Sequence, residues 1–161
     1  MFRKIIYSLL AVIWMGIIFS FSSQEAVESE EISHSIVTNI IIENYSGFNS
    51  LDSDKQEEFA NTADHLVRKS AHFCEYAILG ILFLLTLRSF GVGDRYGYVK
   101  TIITAIVLVC LYSISDELHQ SFVPGRNGNI KDVFIDTSGG VTGIILLWGI
   151  LKLHCNKKSI S

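Results

Sequence analysis

The stretch "TIITAIVLVCLYSISDELHQSFVPGR" (101–126) decides the fold. From Thr101 to Ser115 it carries no charge, and then it gathers Asp116, Glu117, His119, Gln120 and Arg126. A chain built for lipid has two uses for such a transition: an exposed loop, or a polar site where a helix leaves the hydrocarbon. At 1.5 Å per residue, Asp116 stands about 22 Å along a helix counted from Thr101. That places it at or below the boundary of the hydrocarbon core, so the second use is preferred. Pro124-Gly125 then ends the helix.

Three further segments have the same apolar character. "IIYSLLAVIWMGIIFSF" (5–21) is uncharged, "AILGILFLLTL" (77–87) reaches spanning length with "SAHFCEY" (70–76) before it, and "VFIDTSGGVTGIILLWGILKL" (133–153) carries Asp136 near its start. A span needs about 20 mostly apolar residues. Spans are therefore expected over about 5–22, 70–89, 99–120 and 131–153. Arg3-Lys4 before the first run also suits a signal peptide, but the run is longer than an ordinary signal core, so retention is expected.

Charge orients these spans. The N-terminus, the 88–100 loop and the C-terminal tail hold Arg3, Lys4, Arg88, Arg95, Lys100, Lys152, Lys157 and Lys158, but of the acids only Asp94. By the positive-inside rule this side is cytoplasmic. The expectation is an all-α, four-helix transmembrane bundle with both termini cytoplasmic and segments 23–69 and 116–132 outside. A net charge of −3 without a basic patch gives no support to nucleic-acid binding. Cys74, Cys110 and Cys155 form no CxxC pair and read as buried or lipid-facing thiols.

The outer segment 23–69 is acidic. Ile32, Ile36, Val37, Ile40 and Ile41 recur at helical spacing behind Glu28, Glu30 and Glu31, which predicts an amphipathic helix on the outer leaflet or over the bundle. "GFNSLDSD" (47–54) reads as a turn. A second helix is expected from Asp54, with Phe59, Ala63, Leu66 and Val67 inward, running into the second span. "NYS" (44–46) is sequon-like and carries no weight without a glycosylating host. Gly139 and Gly143 make a small-xxx-small face for helix packing in the fourth span, which Gly140 extends.

Three spans carry polar residues at their outer ends. Lys69, His72 and Tyr76 share one helix face, with Arg68, His72 and Glu75 beside it. Asp116 and Gln120 are an i, i+4 pair near Ser113 and Glu117, and Asp132 and Asp136 are another. Asn129 suits the N-cap of the fourth span, which gives Asp132 a capping explanation. Ionisable groups in a membrane are costly unless paired or hydrated and usually face the bundle interior. Glu75, Asp116, Glu117 and Asp136 are thus expected to turn toward Lys69, His72 and Arg126, whereas His119 is expected to face solvent.

Three chemistries fit this cluster. His72 with Glu75, Asp116, Glu117 or Asp136 could serve as acid–base groups. Arg68, Lys69 and Arg126 could hold a phosphate or carboxylate of a lipid headgroup or peptidoglycan precursor. A divalent metal on His72-x-x-Glu75 with Asp116 and Glu117 is the remaining alternative, but the spacing matches no metal motif, so no cofactor is expected. A polar network that only fixes helix packing competes with all three.

"RKSAHFCEYAILGIL" (68–82), "SDELHQSFVPGRNGNIKDVFIDTSGGVTG" (115–143) and "WMGIIFSFSSQ" (14–24) together resemble the VanZ-like family of bacterial membrane proteins. The resemblance implies a multi-pass protein of the bacterial cytoplasmic membrane, linked in its namesake to resistance against the glycopeptide teicoplanin. Carried over by position, its motif residues are Lys69, His72, Glu75, Tyr76, Asp116, Glu117, Gln120, Arg126, Asp132 and Asp136. The implied partners are the bilayer and a cell-wall lipid, a peptidoglycan precursor or the glycopeptide. The implied function is lowered glycopeptide susceptibility through an outer-facing polar pocket; an enzyme modifying a lipid-linked envelope precursor, and a purely structural polar cluster, stay open beside it.

Overall fold

The computed structural model describes residues 1–24, 26–42, 47–126 and 128–160, with the side chains of 26–28, 40–42 and 154–160 left aside. The NYS stretch, the Ile40 and Ile41 side chains and Cys155 therefore lie outside the described residues. Among the described residues six α-helices follow one another: α1 (Phe2–Ser22), α2 (Ala26–Ile36), α3 (Ser53–Ser89), α4 (Val92–Tyr96), α5 (Tyr98–Gln120) and α6 (Ile130–Ile160). No strand occurs among the described residues. In α1, α3, α5 and α6 the chain has helices long and apolar enough to cross a membrane.

Their packing explains why so much apolar surface stays open. Each helix buries a narrow stripe, such as Ala11, Ile18 and Ser22 on α1, and leaves residues like Val12, Ile13 and Phe19 at least half exposed. On a soluble monomer such continuous apolar surface would be an association hazard. Around four spanning-length helices it is the face that meets lipid. The core inside is small: Ile18, Tyr76, Leu79, Leu84, Ala105, Val109 and Ile144, drawn from all four helices. Two side-chain bonds tie α1 to it, from the Trp14 indole to the Glu75 carbonyl at 2.9 Å and from the Tyr112 hydroxyl to the Met15 carbonyl at 2.6 Å.

The closest approach is between α3 and α6, and it depends on missing side chains. A Cβ on Gly139 would overlap the Phe73 carbonyl oxygen, and one on Gly143 the Ala77 carbonyl oxygen. Gly80 meets the Gly140 backbone in the same way, while Gly140 itself faces Val109 of α5. The small-residue face expected on the fourth span is thus a two-sided seam, with Gly80 as its counterpart on α3.

At one end of the bundle α3 turns into α5 through α4, which is bracketed by Gly91 and Gly97 at φ +74° and +87°. Only glycine adopts such angles without cost, and the two let the chain reverse. Lys4 lies over the Phe90 ring at 5.3 Å, so the N-terminus shares this end with the α3–α5 connection. The end of α1, the end of α5 and the start of α6 meet at the other.

Helix α3 has 37 residues, about 55 Å at 1.5 Å per residue. That exceeds the roughly 30 Å hydrocarbon layer, so its first half stands beyond the bilayer. It starts at Ser53, one residue ahead of the expected Asp54. Asp52 is the N-cap, its carboxylate accepting from the Lys55 backbone N–H at 3.0 Å. That bond, followed by the Lys55 ammonium, lowers the Asp52 carboxyl below its ordinary value.

One expectation in this outer region, Leu66 inward, needs correction. Leu66 is 59% exposed, whereas Asp64 is buried beside Ala63. Ser33 of α2 and Val37 just after it are buried, whereas Ile32 and Ile36 are 48% and 40% exposed. The reason is that α2 docks on α3 through polar pairs, His34 with Asp64 at 3.3 Å and Arg68 with Glu30 at 3.5 Å. Those pairs leave both isoleucines turned sideways and partly exposed. Beyond Ile36 the helix continues as a π-helical turn over Val37–Ile42.

The glycine seam makes a direct prediction. Gly143→Val should cost about 1–3 kcal/mol by overpacking and lower the thermal midpoint of the detergent-solubilised protein, followed by circular dichroism. Gly149, where an added Cβ would meet no atom within 4 Å, should accept the same change without loss.

Candidate functional site

The end where α1, α5 and α6 meet is polar, and its centre is Asp116. This side chain is 2% exposed. Its Oδ2 accepts from the Ser22 hydroxyl of α1 at 2.8 Å, the Tyr76 hydroxyl of α3 at 3.2 Å and the Gln120 amide of its own helix at 3.3 Å. Gln120 also donates to Ser22 at 3.2 Å. Three helices are thus tied to one carboxylate oxygen. One turn below, Ser113 donates to Asp136 Oδ2 of α6 at 3.1 Å.

The other candidate residues surround this pair. Lys69 forms an ion pair with Asp132, linking α3 to α6. Asn129 is the expected N-cap of α6, accepting from the Lys131 N–H at 3.0 Å. The capping reading of Asp132 changes, however. The Asn129 N–H donates to Glu117 Oε2 of α5 at 2.8 Å, so a carboxylate from another helix takes the reciprocal place in the cap and frees Asp132 for Lys69. His72 and Glu75 are half-buried neighbours on α3, with 3.8 Å between Nδ1 and Oε2. That is too long for a hydrogen bond.

Gly125, at φ +75°, turns the chain so that the Arg126 N–H bonds the Val123 carbonyl at 3.1 Å. Arg126 then faces Asp116, Glu117 and Glu75 without a direct ion pair among the described residues. Burial, aided by Arg68, lowers the guanidinium from its ordinary value, and the three carboxylates oppose that shift. His119 does not simply face water as expected. It stacks on Phe19 at 4.3 Å and shares a 3.0 Å hydrogen bond with Ser23, closing α5 onto α1.

Above these residues lies a cavity of about 180 Å³, lined by Ser29, Glu30, His65, Arg68, Lys69, His72, Gln120, Arg126 and Asp132. Beside it runs an apolar groove of about 220 Å³, with Phe21, Ile32, Ile36, Val67 and Ala71 among its walls. The two share Ser29, Arg68, His72 and Arg126. A basic chamber therefore adjoins a greasy one across a shared wall.

The sequence reading misses Ser22, which lies at the end of an apolar run. Its only signal is its i, i+4 relation to Ile18 on the buried stripe. Ser29 and His65 are missed because the apolar stripes of their helices do not tell which polar residues lie over the site.

The cap across helices is testable. Glu117→Ala should destabilise by about 1–2 kcal/mol, the usual cost of a lost cap. Glu117→Gln, whose amide oxygen can still accept from Asn129, should recover most of that loss in thermal unfolding. Equal losses for both variants would show that the charge, and not the cap, is what matters.

The family model VanZ/LLP1 matches residues 7–152. No curated protein and no solved structure matches the chain. The matched region spans all four long helices and every residue of the polar site. The chain therefore belongs to the VanZ-like family.

Proposed function

We propose that this is a multi-pass protein of the bacterial cytoplasmic membrane whose polar end faces outward and binds the anionic headgroup of a cell-wall lipid or lipid-linked precursor, lowering susceptibility to glycopeptides such as teicoplanin. The observation that carries this reading is the cavity joined to the groove. Arg68, Lys69, His72 and Arg126 offer donors to a phosphate or carboxylate, and Phe21, Ile32, Ile36 and Val67 offer an apolar track for a chain beside it. A soluble anion would have no use for the groove. A lipid uses both.

The outward orientation is supported by charge. The end holding both Lys4 and the α3–α5 connection is the base-rich one, which the positive-inside rule puts in the cytoplasm. The acidic segment before α3 then lies outside, where α2 forms one wall of the groove through Ile32 and Ile36.

Two measurements test this reading. In native mass spectrometry of delipidated protein, a lipid-linked peptidoglycan precursor or phosphatidylglycerol should bind in preference to phosphatidylcholine, and Arg126→Ala should weaken binding about tenfold, near 1.4 kcal/mol. In cells, wild type should lower teicoplanin susceptibility, and Arg126→Ala and Arg68→Ala at matched membrane abundance should not. Full protection by both variants would sink the pocket reading and leave the polar cluster a packing device.

A further inference from the structure

Behind the cavity wall lies a cluster that shares His72 with the headgroup reading and adds two carboxylates that do not line the cavity. His72 of α3, Asp116 of α5 and Asp136 of α6 each place one donor atom within 4.8 Å of the other two. Asp116 and Asp136 are 2% and 1% exposed. Asp116 has one oxygen held by three donors, while its Oδ1, equally buried, has no hydrogen-bond partner. His72 Nδ1 is likewise buried without a hydrogen bond. Buried polar atoms are nearly always satisfied, so two orphaned lone-pair groups in one cluster call for a partner.

Charge points the same way. Lys69 is occupied by Asp132 and Arg68 by Glu30. Arg126 is the cation left facing Asp116, Glu117 and Glu75, and among the described residues it pairs directly with none of them. Two carboxylates at the centre of a low-dielectric bundle are costly unless paired or bound to a cation.

We propose that His72, Asp116 and Asp136 form a divalent-metal site buried behind the cavity, which His72 reaches from its wall. One imidazole and two carboxylates suit borderline cations such as Mn²⁺, Fe²⁺ or Zn²⁺. Ca²⁺ takes six to eight oxygen ligands and Mg²⁺ favours oxygen and keeps its waters. Bonds of about 2.0–2.2 Å hold donor atoms roughly 3.0–3.4 Å apart, so donor atoms within 4.8 Å of one another close further on loading. Ser22, Tyr76 and Gln120 orient Asp116, and Ser113 orients Asp136, as outer-shell partners of metal ligands do. His72 and Gln120 also line the cavity, which gives the ion a way in and leaves its open positions toward whatever the cavity holds. The ligand set differs from the one that sequence spacing suggests: Asp136, from a distant helix, replaces Glu75 and Glu117.

The site goes beyond the headgroup reading and is tested without any lipid ligand. Full-length protein in detergent, stripped with a chelator, is dialysed against micromolar MnCl₂ or ZnCl₂ and its metal counted by mass spectrometry. One equivalent of either metal is expected, with a raised melting temperature. His72→Gln and Asp136→Asn should each weaken uptake by roughly a hundredfold or more, whereas Asp64→Asn, a buried acid of another cluster, should leave it unchanged. Absence of stoichiometric uptake by wild type overturns the site. So does uptake that survives both variants, or that Glu75→Gln and Glu117→Gln abolish while Asp136→Asn spares it. If the variants fail to fold, wild-type uptake and its thermal shift decide alone: both present supports the site, and either absent overturns it.

Discussion

A carboxylate placed inside a membrane bundle cannot be left alone, and much of this structure follows from how Asp116 is accommodated. Its position on α5 is deep enough to be shut off from bulk water, where an unpaired charge costs several kcal/mol. Ser22, Tyr76 and Gln120 answer that cost by converging on one oxygen. Because these donors sit on α1, α3 and α5, meeting them fixes how those helices are rotated about their axes. Apolar stripes alone would permit many rotations, since lipid and core are equally greasy. The polar contact selects one.

The other constraint is steric, and it works where the polar one is weak. Lipid tails offer no hydrophobic reason for helices to associate, so close van der Waals packing has to supply it. Gly139 and Gly143 bring α6 against the backbone of α3, and Gly80 receives Gly140 in return. This contact runs down from just below the polar end. Consequently Asp136, one turn before Gly140, is carried into the cluster around Asp116, and Asp132 is set against Lys69. The seam and the site are two parts of one helix pairing.

Outside the bundle, polar pairing again decides an orientation. Because α2 sits on α3 through His34–Asp64 and Glu30–Arg68, its isoleucines are turned away from the bundle and become a wall of the groove. A helix that had buried Ile32 and Ile36 against α3 would have closed that groove. The long extension of α3 beyond the bilayer thus serves as a mast that holds α2 beside the cavity. Membership of the VanZ-like family covers all of these elements except the first and last few residues.

How legible all this is in the sequence depends on the range of each interaction. The four long helices and the shared end of both termini follow from runs of apolar residues, the Pro124-Gly125 stop and the distribution of basic residues. These are local or compositional properties, since a span needs only length and hydropathy. The sharing of faces by Lys69, His72 and Tyr76 follows from helical period alone, as does Asn129 as a cap. What local pattern cannot give is rotation and partner. Asp132 in isolation reads as part of a cap, yet Glu117 takes that place and Asp132 goes to Lys69. Leu66 looks inward by hydrophobicity, yet Asp64 is the buried residue because His34 is there. Ser22 reads as one of several small polar residues that end the first apolar run, and only the fold shows that it supports Asp116. The sequence by itself therefore determined which segments are long and apolar enough to cross a membrane and which residues are too polar to face lipid. The tertiary structure alone decided which of them meet, because hydrogen-bond satisfaction and backbone contact act between residues far apart in the chain.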